Sequence, residues 1–176
     1  QDRIDTWLDP FNPVYLERAS GGSYQIAQSM FAQAEGGLFG TGLGASLLRG
    51  PGGEILLPAP HTDLIYAVIT SELGLVGACG LILVYMLLVE RGLRTAMLAS
   101  DSFSKLLAAG LSAVFALQVF VIVGGVTRVI PLTGVTLPFV SYGGSSILAN
   151  FVLLALLLLV SDRARRPGAP GRRGLR

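Results

Sequence analysis

The sequence has few of the side chains that form disulfides, metal clusters and catalytic triads. It contains one cysteine, Cys79, and one histidine, His61, in 176 residues. A single cysteine excludes an intrachain disulfide and a cysteine-based metal cluster, and Cys79 lies in an apolar run where a packing role is expected. One histidine beside one aspartate, Asp63, makes neither a metal site nor a triad.

Charge is also scarce, since 14% of the residues are charged and 52% are hydrophobic. This balance excludes an ordinary soluble domain and indicates a membrane protein. The pI near 9.0 does not indicate nucleic-acid binding, because the basic residues lie beside apolar segments and at the C-terminus. The chain has no initiator methionine and no signal-peptide pattern, so we expect it to be the C-terminal portion of a longer protein.

Three apolar runs, residues 64–89, 106–126 and 142–160, are each long enough to cross about 30 Å of hydrocarbon as a helix. The predicted fold class is therefore an all-α integral membrane protein. Arg91, Arg94 and Lys105 between the first two runs, and the arginine-rich tail 163–176, are predicted to be cytoplasmic by the positive-inside rule. The same rule makes residues 1–63 a large extracytoplasmic loop before a membrane segment at 64–162. The tail is rich in Gly and Pro and is predicted to be disordered.

Two stretches outside the spans have their own patterns. "YQIAQSMFAQA" places Ile26, Met30 and Phe31 on one predicted helical face, which favours a helix lying at the membrane interface. A glycine-rich loop, "GGLFGTGLGASLL", follows it. The spacing in "GTGLGA" is that of neither a dinucleotide fingerprint nor a phosphate loop, and no Lys follows, so nucleotide binding is not predicted.

Asp63, in "LLPAPHTDLIYA", stands at the outer mouth of the first span. Thr62 or Asp63 could cap that helix by accepting hydrogen bonds from its first amides. A carboxylate at a boundary between water and membrane could also take a proton from a sugar hydroxyl, and the two roles are compatible. His61 is either a second acid or base or, as we favour, structural support. Glu72 lies inside the same span, where a charge requires a partner or a polar cavity.

Between the last two runs lies "PLTGVTLPFVSYGGSS", residues 131–146, whose prolines prevent a regular helix. Such backbone at membrane depth requires protein or a water-filled cavity around it, so this re-entrant-like Pro/Gly segment is predicted to line an outward-opening cavity. The alternative is a turn that only lets helices pack closely. Gly143 and Gly144 are expected to tolerate little side-chain bulk. Arg128, just before the segment, is either a phosphate-binding group or a snorkelling anchor.

The motifs "PLTGVTLPFVSYGGSS", "LPAPHTDLIYAVITSELG" and "YQIAQSMFAQAEGGLFGTGLG" together resemble the C-terminal part of the RodA and FtsW proteins, the shape, elongation, division and sporulation family. The resemblance covers about residues 1–163, and "RGLRTAML" and "LQVFVIVGGVTRVIPLTG" look most like actinobacterial RodA-like members. It implies a ten-span protein of the bacterial cytoplasmic membrane, of which this chain would hold the last three spans.

The resemblance also implies a function: polymerisation of lipid II into peptidoglycan strands during elongation or division, together with a class B penicillin-binding protein. By position, Asp63 matches the family's essential aspartate, the candidate general base on an extracytoplasmic catalytic face. Nucleic acid is not an expected partner. The residues expected to contact the substrate are His61, Arg128, Thr136, Ser141, Tyr142, Gly143, Gly144, Ser145 and Ser146.

Cofactors are left open, with a divalent cation suggested by the need to neutralise a pyrophosphate leaving group. Members often have Pro-Glu-Ala before His-Thr-Asp, where this chain has Ala59 and Pro60 after Pro58, and paired glutamates where it has Ser71 and Glu72. The missing carboxylate argues against a metal role at these positions. Two alternative functions stay open: a transporter for lipid-linked precursors, which needs no base at the mouth, and a non-catalytic partner of a penicillin-binding protein.

Overall fold

A computed structural model describes residues 2–11, 22–45 and 62–165, and within these ranges the chain forms only helices, turns and irregular segments. The helices, numbered in chain order, are α1 (Asp2–Leu8), α2 (Gly22–Gly36), α3 (Ile65–Leu98), α4 (Ser102–Val126) and α5 (Gly144–Arg165). Helices α3, α4 and α5 are long and apolar enough to cross a membrane. The predicted all-α class with three membrane helices is confirmed.

The long helices extend beyond the predicted spans. Helix α3 continues from the predicted end at residue 89 to Leu98, and α5 runs from Gly144 to Arg165 instead of from 142 to 160. Apolar content predicts only the part of a helix that matches the hydrocarbon, whereas Arg, Leu, Met and Ala also favour a helix in water. Residues 163–165, the start of the tail that was predicted to be disordered, are therefore helical. The rest of the predicted tail lies outside the described residues.

Helices α3 and α4 form an antiparallel pair that packs closely through small residues. A Cβ added to Gly92 would overlap the hydroxyl of Ser112, so these two helix surfaces are in direct contact. Helix α5 closes this end of the bundle, where Ala96, Ala108 and Leu157 share a buried cluster. Small residues permit this approach in membranes, where packing replaces the hydrophobic effect as the force between helices.

The turn between α3 and α4 is fixed by a side-chain cap. Asp101 occupies the N-cap position of α4, and its carboxylate accepts a hydrogen bond of 2.9 Å from the backbone N–H of Ser104. This backbone hydrogen bond lowers the pKa of Asp101 below its usual value. The cap satisfies one of the free amides at the start of α4 and makes the reversal of the chain sharp.

Helix α3 is interrupted at Gly74, where the backbone has φ 68° and ψ −171°. The interruption removes the helical partners of the carbonyls of Ser71 and Glu72 and of the amides of Leu75 and Val76. The glycine-rich loop after α2 supplies replacements. Thr41 and Gly42 donate their backbone N–H groups to the two carbonyls at 3.0 and 3.1 Å.

The same loop also accepts hydrogen bonds from the lower part of α3. The amides of Leu75 and Val76 donate to the carbonyls of Gly37 and Leu38 at 3.0 and 3.2 Å. Residues 37–42 are therefore inserted into the break of α3 by four backbone hydrogen bonds, an arrangement that we call the backbone splice. It satisfies every main-chain group that Gly74 releases, as buried backbone requires.

Two glycines make the backbone splice sterically possible. Gly40 and Gly74 have φ of 81° and 68°, and a Cβ on either would overlap backbone atoms of the other segment. Only glycine combines this left-handed backbone with such close approach at low cost.

Helix α2 lies against α3, but not with the predicted face. Ile26, Ala27 and Ala32 are buried, whereas Phe31 is 51% exposed. Positions 26 and 31 are five apart, which places their side chains about 140° apart around a helix, so the expectation of a shared face was wrong. Whether α2 lies at a membrane interface stays a prediction.

We predict that Gly74→Ala destabilises the protein by about 2 kcal/mol or more, because a left-handed alanine is strained and its methyl group collides with the loop. Gly80→Ala is the matched control on the same helix, since a Cβ there meets no atom within 4 Å. Thermal unfolding of the full-length protein in detergent should show a large loss for the first variant and little or none for the second. Equal melting temperatures would contradict the importance of the splice.

Candidate functional site

Asp63 lies in the turn that precedes α3 and is partly buried. The hydroxyl of Thr62 donates a hydrogen bond of 2.5 Å to its Oδ1 atom. Neither residue caps the helix as proposed from the sequence, because Leu64 holds the N-cap position and provides no side-chain hydrogen bond. Leu64 is instead anchored by burial in the core, at 1% exposure. The carboxylate is thus oriented by its neighbour and not engaged with the helix amides.

The Pro/Gly segment 131–146 passes directly beside this carboxylate. Gly134 has φ 71°, and a Cβ built on it would lie 3.6 Å from Oδ2 of Asp63. Glycine leaves this approach free of any side chain. One carboxylate oxygen therefore bonds to Thr62, and the other faces the glycine backbone of the segment.

Ser141 ties the segment to the turn that carries Asp63. Its buried hydroxyl donates to the carbonyl oxygen of Thr62 at 2.5 Å and accepts from the N–H of Leu137 at 2.8 Å. Ser141 is one of the residues predicted to contact substrate, and in the structure its hydroxyl has two partners within the protein. Ser141 is therefore a bridge between two parts of the site.

Other side chains from the membrane helices hold the segment in place. The hydroxyl of Tyr85 on α3 donates to the carbonyl of Pro138 at 2.5 Å, and the Gln118 amide on α4 donates to the carbonyl of Thr136 at 2.9 Å. Phe139 contacts the rings of Phe115 on α4 and Phe151 on α5. The part of the segment around Leu137 and Pro138 is thus buried and hydrogen-bonded by protein, whereas residues 133–135 are exposed.

These supporting residues were not predicted from the sequence. A detectable signal existed for Gln118, which is an amide within the otherwise apolar span 106–126, where a polar group requires a partner. Tyr85 and Phe139 gave no comparable signal, because aromatic residues in apolar runs are common.

The start of α5 is more open than predicted. Ser146 donates its hydroxyl to the carbonyl of Gly143 at 3.0 Å, and a Cβ on Gly143 would meet that hydroxyl oxygen at 2.7 Å. Gly144 is exposed, and a Cβ there meets no atom within 4 Å, so the expected crowding at Gly144 is wrong for the described chain. Tyr142 and Ser145 are also exposed.

The remaining predicted residues lie apart from the carboxylate. The described contacts of the Arg128 guanidinium are with Trp7, Leu8 and Met30, not with the Asp63 turn. Glu72 lies at the backbone splice, where its carbonyl accepts from Gly42. His61 falls outside the described residues. Within the described ranges, no group of three or more His, Cys, Asp or Glu side chains could hold a metal ion.

An apolar groove of about 710 Å³ runs between α3 and α4, separate from the Asp63 site. Its walls include Tyr85, Met86, Val119 and Phe120, and Arg94 is among the residues that line it. The groove presents large hydrophobic side chains at the depth of the membrane helices. It is therefore suited to contact lipid or another membrane-spanning segment.

Comparison with known sequences places these features in a family. The profile of the FTSW_RODA_SPOVE family, described as cell cycle proteins, matches residues 1–166. The chain is 53% identical to the peptidoglycan glycosyltransferase RodA of Mycobacterium tuberculosis (strain ATCC 25618 / H37Rv) over 165 residues, covering 94% of this chain and 33% of that protein. It is 40% identical to the stage V sporulation protein E of Bacillus subtilis (strain 168), covering 93% and 42%. The chain thus spans about a third of the mycobacterial relative.

Two solved structures resemble the fold. One was reported as the structural coordination of polymerization and crosslinking by a peptidoglycan synthase complex; it matches with a TM-score of 0.68 and 28% identity, covering 94% of this chain and 42% of that chain. The other is an Asp-to-Ala mutant of the rod shape determining protein RodA from Thermus thermophilus. It matches with a TM-score of 0.57 and 36% identity, covering 61% of this chain and 36% of that chain.

We predict that Ser141→Ala destabilises the protein by about 1–3 kcal/mol, because it leaves the buried N–H of Leu137 and the carbonyl of Thr62 without their partner. Ser145→Ala, at an exposed position, should change stability by less than about 0.5 kcal/mol. Denaturant unfolding of both variants measures the difference. Equal stabilities would show that Ser141 does not bridge the segment and the Asp63 turn.

Proposed function

The chain belongs to the FtsW/RodA/SpoVE family, and from this membership we propose that it is part of a peptidoglycan glycosyltransferase. The proposed activity is the polymerisation of lipid II into glycan strands on the outer face of the bacterial cytoplasmic membrane, during elongation or division. The described segment would supply the last three of ten spans and the aspartate of the active site. The observation that carries the proposal is the carboxylate of Asp63, oriented by Thr62 and facing a glycine of the segment 131–146.

In the proposed reaction, Asp63 acts as the general base. The 4-hydroxyl of the acceptor sugar attacks the anomeric carbon of the donor, and the bond from that carbon to the lipid pyrophosphate breaks. Asp63 accepts the hydroxyl proton as the new bond forms. Attack from the opposite side inverts the anomeric carbon, so an α-linked donor gives a β-linked glycan.

The geometry around Asp63 suits this role. The Thr62 hydroxyl donates to Oδ1, and Oδ2 lies on the side of Gly134. Gly134 has no side chain to prevent an acceptor hydroxyl from reaching the same space. The rigid support of the segment by Ser141, Tyr85 and Gln118 would keep the acceptor position fixed relative to the base.

The leaving pyrophosphate requires positive charge more than a strong acid. A divalent cation could supply it, but the described residues offer no cluster of ligands around Asp63 that fits one. The proposed steps at Asp63 therefore involve only side chains and backbone of the protein. Cationic side chains elsewhere in the full-length protein would serve this purpose.

A class B penicillin-binding protein is the proposed partner, since it would crosslink the strands that this protein makes. A structural relative of the chain is reported as a peptidoglycan synthase complex that couples polymerization and crosslinking. The apolar groove between α3 and α4 offers a surface that a single membrane-spanning helix of such a partner could occupy.

The proposed outward location of the site predicts a labelling pattern. In full-length protein with Cys79 replaced by Ala, a Leu43→Cys residue should react with a membrane-impermeant maleimide in intact cells. Arg94→Cys should react only after the cells are opened. Both positions are exposed in the structure, so a difference in labelling reports the side of the membrane. The reverse pattern would refute an extracytoplasmic site.

The proposed base predicts the effect of Asp63→Asn. Asparagine keeps an oxygen that can accept the Thr62 hydrogen bond, so the fold should persist, but proton abstraction is lost. Glycan synthesis from lipid II by purified full-length protein should fall at least about 100-fold, within the range of general-base catalysis. The binding of lipid II and of the penicillin-binding protein should be retained.

Asp101→Asn is the matched control for this experiment, because Asp101 is a cap on α4 at the other end of α3. Asparagine caps helices about as well as aspartate, so glycan synthesis should stay near the wild-type rate. Near-normal synthesis by Asp63→Asn would remove Asp63 as the base. It would favour a transporter of lipid-linked precursors, which needs the cavity but no base.

A further inference from the structure

Arg128 ends α4 in a backbone conformation that side chains rarely adopt. Its φ is 62°, one residue beyond the C-cap Thr127. The N–H of Arg128 donates to the carbonyl of Gly125 at 3.3 Å, and that of Ile130 donates to Gly124 at 3.1 Å. Helices commonly end with a left-handed residue here, but that residue is usually glycine. An arginine at this position is strained, and such strain persists only where the surrounding contacts of the residue compensate for it.

The guanidinium of Arg128 binds the C-terminal end of α1. Its Nη2 atom donates to the carbonyl of Trp7 at 2.8 Å and lies 3.5 Å from that of Leu8. Helix α1 ends at Leu8, so these carbonyls have no partner within their own helix. A cation is also favourable at the negative end of a helix. The contact is therefore a C-cap supplied by a residue that is distant in sequence.

The contact is reciprocal. The indole Nε1 of Trp7 donates to the backbone carbonyl of Arg128 at 2.9 Å. Helix α2 joins the same end of α4, since Gln33 donates its amide to the carbonyl of Val126 at 3.2 Å and Met30 lies against the guanidinium. The side chain and main chain of Arg128 thus hold α1 at the point where the chain enters the segment 131–146.

We propose that Arg128 is a positioning residue that clamps α1 to the end of α4 and thereby fixes the direction in which the segment 131–146 leaves that helix. We assign it to positioning instead of to substrate phosphate, because Nη2 donates to the backbone of α1, Nη1 lies against the sulfur of Met30 and Nε is buried. The expected effect of Arg128 on catalysis rests on the proposed function. The contact between Arg128 and α1 does not depend on that function. The ordering of α1 and the rate of glycan synthesis therefore test separate parts of the inference.

The test uses three single variants of the full-length protein and the double variant Trp7→Phe/Arg128→Gly. Trp7→Phe removes only the indole N–H, and Arg128→Gly removes the guanidinium while relieving the left-handed strain, so that folding is retained. Thr127→Ala is the control, because the Thr127 hydroxyl bonds to Val123 within α4 and does not contact α1. Hydrogen exchange of a peptide covering α1, followed by mass spectrometry, reports the clamp directly. The kcat and KM of lipid II polymerisation report its consequence.

We expect α1 to exchange about five- to tenfold faster in Trp7→Phe and in Arg128→Gly, as the loss of a hydrogen bond predicts, and at the wild-type rate in Thr127→Ala. The double variant should exchange no faster than Arg128→Gly, since both changes break one clamp. In both single variants kcat should fall about tenfold, with KM unchanged within about twofold.

Unchanged exchange of α1 in Arg128→Gly would overturn the clamp. A raised KM with kcat retained would overturn the positioning role and restore Arg128 as a phosphate ligand. If wild-type protein makes no glycan while α1 still exchanges faster in both variants, the proposed function fails and the clamp stands. The two hypotheses therefore fail in distinguishable ways.

Discussion

The arrangement of the described chain depends on the backbone splice, in which residues 37–42 replace the helical partners that Gly74 removes from α3. A broken helix beside a membrane has unpaired carbonyls and amides, and these are costly unless another backbone satisfies them. The glycine-rich loop does so with main-chain groups alone. The hydrogen bonds therefore fix the glycine-rich loop against α3. Because they join main-chain groups, they do not depend on which side chains the loop carries.

The site follows from this arrangement by a short series of contacts. Thr62 lies in the turn that leads into α3, its carbonyl accepts from Ser141, and Ser141 in turn accepts from the amide of Leu137. Gly134 is thereby kept beside the carboxylate of Asp63. Most of these contacts involve a backbone group, so the geometry of the site relies on glycine and serine in the right places more than on bulky side chains.

The sequence predicted the parts of the molecule that local composition determines. Apolar runs located three membrane helices, the prolines at 131 and 138 identified a segment that is not helical, and the motif around Asp63 identified the family. The splice at Gly74 was not predicted, because "SELGLVG" has the composition of an ordinary membrane helix and the partner loop lies more than thirty residues away. The contacts of Ser141 and Arg128 were not predicted for the same reason: a hydroxyl or guanidinium has a chemical character in the sequence, but its partner is set by tertiary contacts.

The break at Gly74 also divides α3 into an upper part, before Gly74, and a lower part, after it. Below Gly74, the uncharged stretch 75–89 is about 23 Å long, which is shorter than a typical hydrocarbon core and is matched by local thinning of the bilayer. The glycine-rich loop is hydrogen-bonded to α3 both above and below Gly74. A displacement of the lower part of α3 in the bilayer is therefore passed to the glycine-rich loop and through it to α2, and is not absorbed at the break.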